Sequence, residues 1–331
     1  MAEYVVGVDI GASKSHLALF DTGGNFVDLG HWGPLNYEVL PGLYAQFEEE
    51  FGKFLSLVLS KNGVSIDQIS FSVLGVGGVD TKRQHAAISA ILGKLGLRQF
   101  TLVNDAFLGI PAGSTTGTGI CAINGSGCTL AGINKKGEML QIGGVGAVSD
   151  DMGGGRYMGN MAVSAVYREL FRRGKPTYLT TLLLNELGIN SKYDFVEKMH
   201  EKTVDGSFSI KKSNWMLFEA ARNNDAVASA ILDGIAENYS NGISCMVEEM
   251  RFPPEDELCV VFAGSVFVKG EHPYLLDAIK TRTCADNPDF TINYTLLDVP
   301  NVAGAVIWAL NSLPGKESLY STVCSQFREM R

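Results

Sequence analysis

The chain has 331 residues, 46% of them hydrophobic and 19% charged, which is material for two ordinary cores rather than one. Its formal net charge of −9 excludes a general nucleic-acid binder, because that role needs a basic face to displace counterions from phosphates. The six cysteines (Cys121, Cys128, Cys245, Cys259, Cys284, Cys324) show no Cys-x-x-Cys spacing, so no disulfide, zinc site or cluster is expected.

No stretch reaches the length of an uncharged membrane span, and the chain runs straight into a strand without a signal peptide, so a cytoplasmic protein is expected. Residues 4–10, 16–21 and 25–32 read as three strands, with Asp21-Thr22-Gly23-Gly24 as the clearest hairpin signal. A loop through Gly33-Pro34-Leu35-Asn36 leads to a helix over about 40–61, where Leu40, Leu43, Phe47, Phe51, Phe54, Leu55 and Val58 recur at helical spacing. A strand at 69–75, a helix at 83–96 and a strand at 100–103 complete the unit. From about 117 the order repeats: strands at 118–123, 128–134 and 138–142, long helices between 153 and 252, a strand at 258–263, a helix at 271–282 and a strand at 288–295. The repetition predicts two domains of one topology, joined through Pro111-Ala112-Gly113-Ser114-Thr115-Thr116-Gly117, whose small residues suit a hinge.

Three places carry chemistry. Asp9 ends an apolar strand and is followed by Gly11, Ser13 and Lys14, a pattern in which backbone N–H groups approach a phosphate while the carboxylate holds a hydrated Mg2+; a plain hairpin turn would use the same residues. Asp105 stands where a strand hands over to a helix, as a general base at a crevice or as an N-cap. The Gly125-Ser126-Gly127 turn joins two strands and would grip a triphosphate from the side opposite Asp9.

With these pieces in order, the chain resembles the actin/Hsp70/hexokinase superfamily, and within it the eukaryotic-type N-acetylglucosamine kinases in the group shared with the BadF/BadG/BcrA/BcrD ATPases. Asp9-Ile10-Gly11-Ala12-Ser13-Lys14-Ser15 is similar to the first phosphate motif and Ile123-Asn124-Gly125-Ser126-Gly127 to the second. Val260 to Phe267, containing Gly264-Ser265, looks like the adenosine motif, though a ligand-free strand-to-helix turn would read the same; Val302-Ala303-Gly304-Ala305-Val306 looks like the small-residue helix near the end of these kinases. The resemblance implies an α/β fold of two ribonuclease H-like (actin-like ATPase) domains with a cleft between them. Domains of 1–113 plus a C-terminal helix at 315–331, and of 114–314, are expected.

The resemblance also implies an ATP-dependent kinase of an amino sugar, with N-acetylglucosamine at its 6-hydroxyl leading and glucosamine or N-acetylmuramic acid as alternatives. ATP and Mg2+ would be the cofactors, and a homodimer is expected. Asp105 would be the base, Asp9 the metal residue, and Gly11, Ser13, Lys14, Gly125, Ser126, Gly127, Gly264 and Ser265 the nucleotide contacts. Asn36 matches the family's sugar-binding Asn, and Asn104 would help orient the ring. Gly143 to Gly153 falls where Gly-Gly-Trp-Gly-…-Gly-Asp-Glu-Gly is usual, which puts Val145, Gly146 and Asp151 beside the sugar; Asn36 and Asp151 could equally be a turn residue and a helix opener. Val145 for Trp, Asp150 for Gly and Met152 for Glu are departures that bear on which sugar is bound. An activator ATPase of the BadF/BadG kind is the rival; it needs cysteines placed to hold an iron–sulfur cluster between two subunits, an arrangement these six do not resemble.

Overall fold

The computed structural model describes residues 3–270, 273–315 and 319–330. Strands β1 (Tyr4–Ile10), β2 (Ser15–Asp21) and β3 (Phe26–Trp32) form an antiparallel meander, and β4 (Ile69–Val76) and β5 (Phe100–Val103) add in parallel on the other side of β1. The crossovers are helices α1 (Leu43–Lys61) and α2 (Lys82–Lys94), and the sheet order is β3-β2-β1-β4-β5.

After α3 (Gly109–Gly113) the pattern recurs with β6 (Gly119–Asn124), β7 (Cys128–Ile133) and β8 (Met139–Gly143). Helices α4 (Gly154–Phe171), α5 (Tyr178–Leu187), α6 (Phe195–Val204), α7 (Trp215–Arg222) and α8 (Ala226–Glu249) follow, then β9 (Leu258–Ala263), α9 (Ser265–Lys269), α10 (Tyr274–Asp286) and β10 (Ile292–Leu296). The second sheet, β8-β7-β6-β9-β10, repeats the first strand for strand. Helices α11 (Asn301–Asn311) and α12 (Tyr320–Glu329) close the chain.

Alternation along the strands decides what faces where. Val6, Val8 and Ile10 point to the outer face, against Phe47, Phe51 and Phe54 of α1, each ring worth about 1.5–3 kcal/mol when fully buried. Val5, Gly7 and Asp9 therefore point inward. Val5 joins an inner core with Phe107, Ile110, Val261, Val302 and Val306, and a Cβ on Gly7 would lie 2.7 Å from the backbone N of Val306. In the second sheet Ile120, Val260 and Phe262 face the outer helices while Cys121 and Val261 face the inner core. Each inner face is covered by the helix that follows the other sheet: α11 packs on β1, β2 and β4, and α3 on β6, β7 and β9.

The Pro111–Gly117 stretch is only partly the flexible connection expected. Pro111, Ala112 and Gly113 make its first half the buried end of α3, and the exposed turn begins at Thr115. Strand β10 starts at Ile292 rather than 288, because Asn287 is tied back to the helix end through Nδ2 to the Thr283 carbonyl and the Ser244 hydroxyl. Of the expected helices at 271–282 and 315–331, residues 271, 272, 316–318 and 331 lie outside the described residues. No helix among the described residues is long and apolar enough to cross a membrane.

Candidate active site

Both central strands end at the same place. Past β1 the chain turns tightly, with Gly11 N donating to the Lys14 carbonyl at 3.1 Å, and this turn presents Ser13. Past β6, Gly125 N donates to the Gly127 carbonyl at 2.9 Å, and Ser126 sits at the tip. The two tips touch: Ser13 Oγ and Ser126 Oγ are 3.1 Å apart. Glycine is required around the second turn. Gly154, at φ +76°, has the Gly127 Cα where its own Cβ would lie, and Gly264, at φ +90°, has the Asn124 carbonyl. Asn124 Oδ1 accepts from Gly154 N at 2.8 Å, and Gly155 N donates to the Gly125 carbonyl at 2.8 Å, which pins the head of α4 to the turn.

Beside the tips opens a cavity of about 560 Å3. Gly125 and Gly155 form one wall, Ser265 and Val266 of α9 another, and Trp215 and Phe218 of α7 a third. Ser265 thus lines this cavity, and Gly264 joins it to the end of β9. Trp215, Phe218 and Lys211 have no counterpart in the sequence expectations, because the segment before α7 carries no motif and joins the site only through folding.

Asp9, Asp80 and Asp105 lie close enough to feel one another's charge and form an acidic cluster. Asn104 Oδ1 accepts from Ala106 N at 2.9 Å and so caps the turn that carries Asp105. Burial first, then the charges of Asp9 and Asp80, push the Asp105 carboxyl up to about 7. A Cβ on Gly77 would lie 3.4 Å from Asn36 Nδ2 and 3.6 Å from Asp105 Oδ2, so these two side chains flank one bare backbone position. Asn36 Oδ1 accepts from Glu38 N at 2.9 Å, which leaves its amide facing Gly77.

Asp80 is the residue that sequence reasoning missed here. Its Oδ1 accepts from Asn104 Nδ2 at 2.9 Å and from Gln141 Nε2 of the second sheet at 2.6 Å. Burial raises its carboxyl, with Glu38 and Asp151 adding to the rise and the two amides opposing it. The only local signal is Gly77-Gly78 ahead of it, at the end of a strand that pairs with β1.

Asp151 serves its own loop. Its carboxylate accepts from Gly144 N, from Gly146 N at 2.7 Å and from Ser149 Oγ at 2.8 Å, folding residues 143–149 into a tight arch with Val145 and Val148 exposed at the crest. The arch abuts the acidic cluster: a Cβ on Gly144 would lie 3.1 Å from Asp80 Oδ1.

Asp9 fits a hydrated Mg2+. It is an oxygen ligand on the inner face with 18% of its side chain exposed, and His16 Nδ1, 3.8 Å away, has no hydrogen-bond partner. Among the described residues no group of three or more His, Cys, Asp or Glu side chains forms a metal cage.

Two matching sheets, with a cleft between them bearing facing Gly/Ser turns, define the two-domain actin-like ATPase fold, and comparison with solved structures agrees. A putative N-acetylglucosamine kinase from Chromobacterium violaceum superposes with a TM-score of 0.67 at 19% identity, over 93% of this chain and 99% of that one. The chain belongs to the BadF/BadG/BcrA/BcrD ATPase family, whose profile matches residues 6–294. Among curated proteins it is similar to an N-acetylmuramic acid/N-acetylglucosamine kinase of Clostridium acetobutylicum, at 26% identity over 80% of this chain and 85% of the relative. It is also similar to an N-acetyl-D-glucosamine kinase of Dictyostelium discoideum, at 24% identity over 94% of this chain and 98% of the relative.

Proposed function

We propose that this protein is an ATP-dependent kinase of an amino sugar, with N-acetylglucosamine at its 6-hydroxyl as the leading acceptor and glucosamine and N-acetylmuramic acid as alternatives. The observation that carries the reading is the touching pair of Ser13 and Ser126 turns, with a cavity of nucleotide size lined by Gly125 of the second turn and, close enough to Asp9 to feel its charge, an Asp105 carboxyl pushed up to about 7. The kinase names of the two curated relatives support it.

In this reading the adenosine occupies the Trp215–Ser265 cavity, and the triphosphate runs over Gly11, Ser13, Lys14 and Gly125-Ser126-Gly127 towards Asp105. Asp9 would hold Mg2+ through water, and the ion would supply neutralisation of phosphate charge when bound. Asp105 takes the proton from the sugar hydroxyl as that oxygen attacks the γ-phosphorus, the bond to the β–γ bridging oxygen breaks, and ADP leaves. A base with its pKa near the working pH is well matched to that task. Asn36 and Asn104 orient the ring from the first domain. Val145, Gly146 and Asp151 border it from the second, where the Asp151-braced arch sets the space for the substituent on the ring.

A coupled assay of ADP release, run across a panel of hexoses and amino sugars, tests the proposal. Turnover restricted to one or more amino sugars supports it. ADP release on none of them, with ATP still bound, overturns it in favour of an activator-type ATPase.

A further inference from the structure

We infer that Lys211 is a polyphosphate ligand of the nucleotide site, a cation delivered from the second domain onto the first phosphate turn. The inference rests on the ATP-binding reading above and adds to it a residue outside every phosphate motif.

Four observations carry it. Lys211 Nζ donates to Ser13 Oγ at 2.7 Å across the cleft, and Ser13 Oγ is the atom that also meets Ser126 Oγ. An ammonium has three donors, so a phosphate oxygen entering between the serines comes within reach of a group already aimed there. The position of Lys211 is built rather than incidental. It lies on a short turn, Ile210–Lys212, laid directly on α4: Gly159 has the Ile210 carbonyl oxygen where its Cβ would be, and a Cβ on Gly155 would lie 2.6 Å from the Lys211 carbonyl oxygen. Two glycines four residues apart on one helix face are what let the turn approach, and the same Gly155 is bonded through N–H to Gly125 of the second phosphate turn.

The third observation is charge. Lys211 is half-buried, and among the described residues it forms no ion pair with a carboxylate; nor do Arg156 and Lys14. Burial, and then the nearby Arg156, lower the Lys211 pKa, the mark of a cation held in place without a countercharge. A partly desolvated ammonium beside a second cation is costly unless an anion completes the site. Lastly, Lys211 also lines the 560 Å3 cavity, so the residue that reaches the first phosphate turn stands at the edge of the proposed nucleotide site.

The test is calorimetric titration of wild type and Lys211→Met with Mg·ATP, Mg·ADP and adenosine. Lys211→Met should weaken ATP and ADP by roughly tenfold or more, the scale of one hydrogen bond to a charged group, and leave adenosine unchanged. ATP affinity within twofold of wild type would overturn the inference. So would an equal loss for adenosine, which would make Lys211 a structural latch. Wild-type protein that binds none of the three would instead sink the ATP-binding reading itself, and this inference with it.

Discussion

Gln141 Nε2 donates to Asp80 Oδ1 at 2.6 Å, joining the second sheet to the first at the acidic end of the cleft. The same oxygen accepts from Asn104, the cap of the Asp105 turn, so one carboxylate couples the second sheet to Asp105. Replacing Asp80 with Asn keeps an oxygen able to accept both amides and removes only the charge. Replacing it with Ala removes the acceptor as well and leaves the buried Asn104 amide unpaired, a cost of about 1–3 kcal/mol. Asp80→Ala should therefore raise the sugar KM by roughly tenfold, and Asp80→Asn by much less, in steady-state kinetics with ATP saturating. Equal KM values in the two variants would remove the hydrogen bonds from the explanation.

The pH dependence follows from Asp105. Because the base works in its ionised form, kcat/KM for the sugar should rise with pH through about 7 and level off above it. Asp80 is one of the charges that raise this carboxyl, so Asp80→Asn should move the rising limb to lower pH. A limb that stays in place would show that the titrating group is not Asp105.

Asp105→Asn should lower kcat by roughly 10²-fold or more while ATP still binds. It should also stabilise the fold above neutral pH. The folded chain keeps this proton up to about pH 7, whereas the unfolded chain loses it near 3.8, so the wild type loses stability as pH climbs between those values. Thermal melts should show a gain for Asp105→Asn of roughly 2 °C or more at pH 8, shrinking towards zero near pH 4.

Trp215 is one of only three tryptophans and lies at the wall of the 560 Å3 cavity proposed for adenosine. Adenosine should change the fluorescence of the wild type and not that of Trp215→Phe. Trp215→Ala should weaken adenosine by roughly tenfold, given about 1–3 kcal/mol for stacking of one base. That is the converse of the pattern expected for Lys211→Met.

Gly304 of α11 has the Leu108 carbonyl oxygen where a Cβ would stand. Gly304→Ala should cost about 2 kcal/mol or more, read as a lower denaturant midpoint, because neither the helix nor the Asp105–Leu108 turn has free space to retreat into. It should lower kcat even where the protein is fully folded, since Leu108 ends the turn that begins at Asp105.

What the sequence made legible was local. Asp9, Asp105 and the Gly125–Gly127 turn are each announced by an apolar run that stops at a chemically suitable residue, and the repeated order of strands and helices is visible without coordinates. What it left hidden depends on juxtaposition. Asp80 follows an ordinary Gly-Gly turn and becomes notable only because β4 lies next to β1 and opposite Gln141. Lys211 and Trp215 sit more than eighty residues from the turn they serve, on a segment whose place is set by glycines of α4. The bracing of the 143–149 arch by Asp151, through Gly144, Gly146 and Ser149, was hidden too, because hydrogen bonding within a loop leaves no trace in spacing.

The crossing of α3 and α11 has a consequence for how the molecule comes apart. Each sheet finishes its core with a helix donated by the opposite half of the chain, and the two helices lie against each other between the sheets. The halves are interlocked, so heat or denaturant should melt them in one cooperative transition, with no stage in which one half survives alone. A protease nick in the exposed turn after Ser114 should leave two fragments bound as a single particle, and neither fragment should fold when expressed by itself.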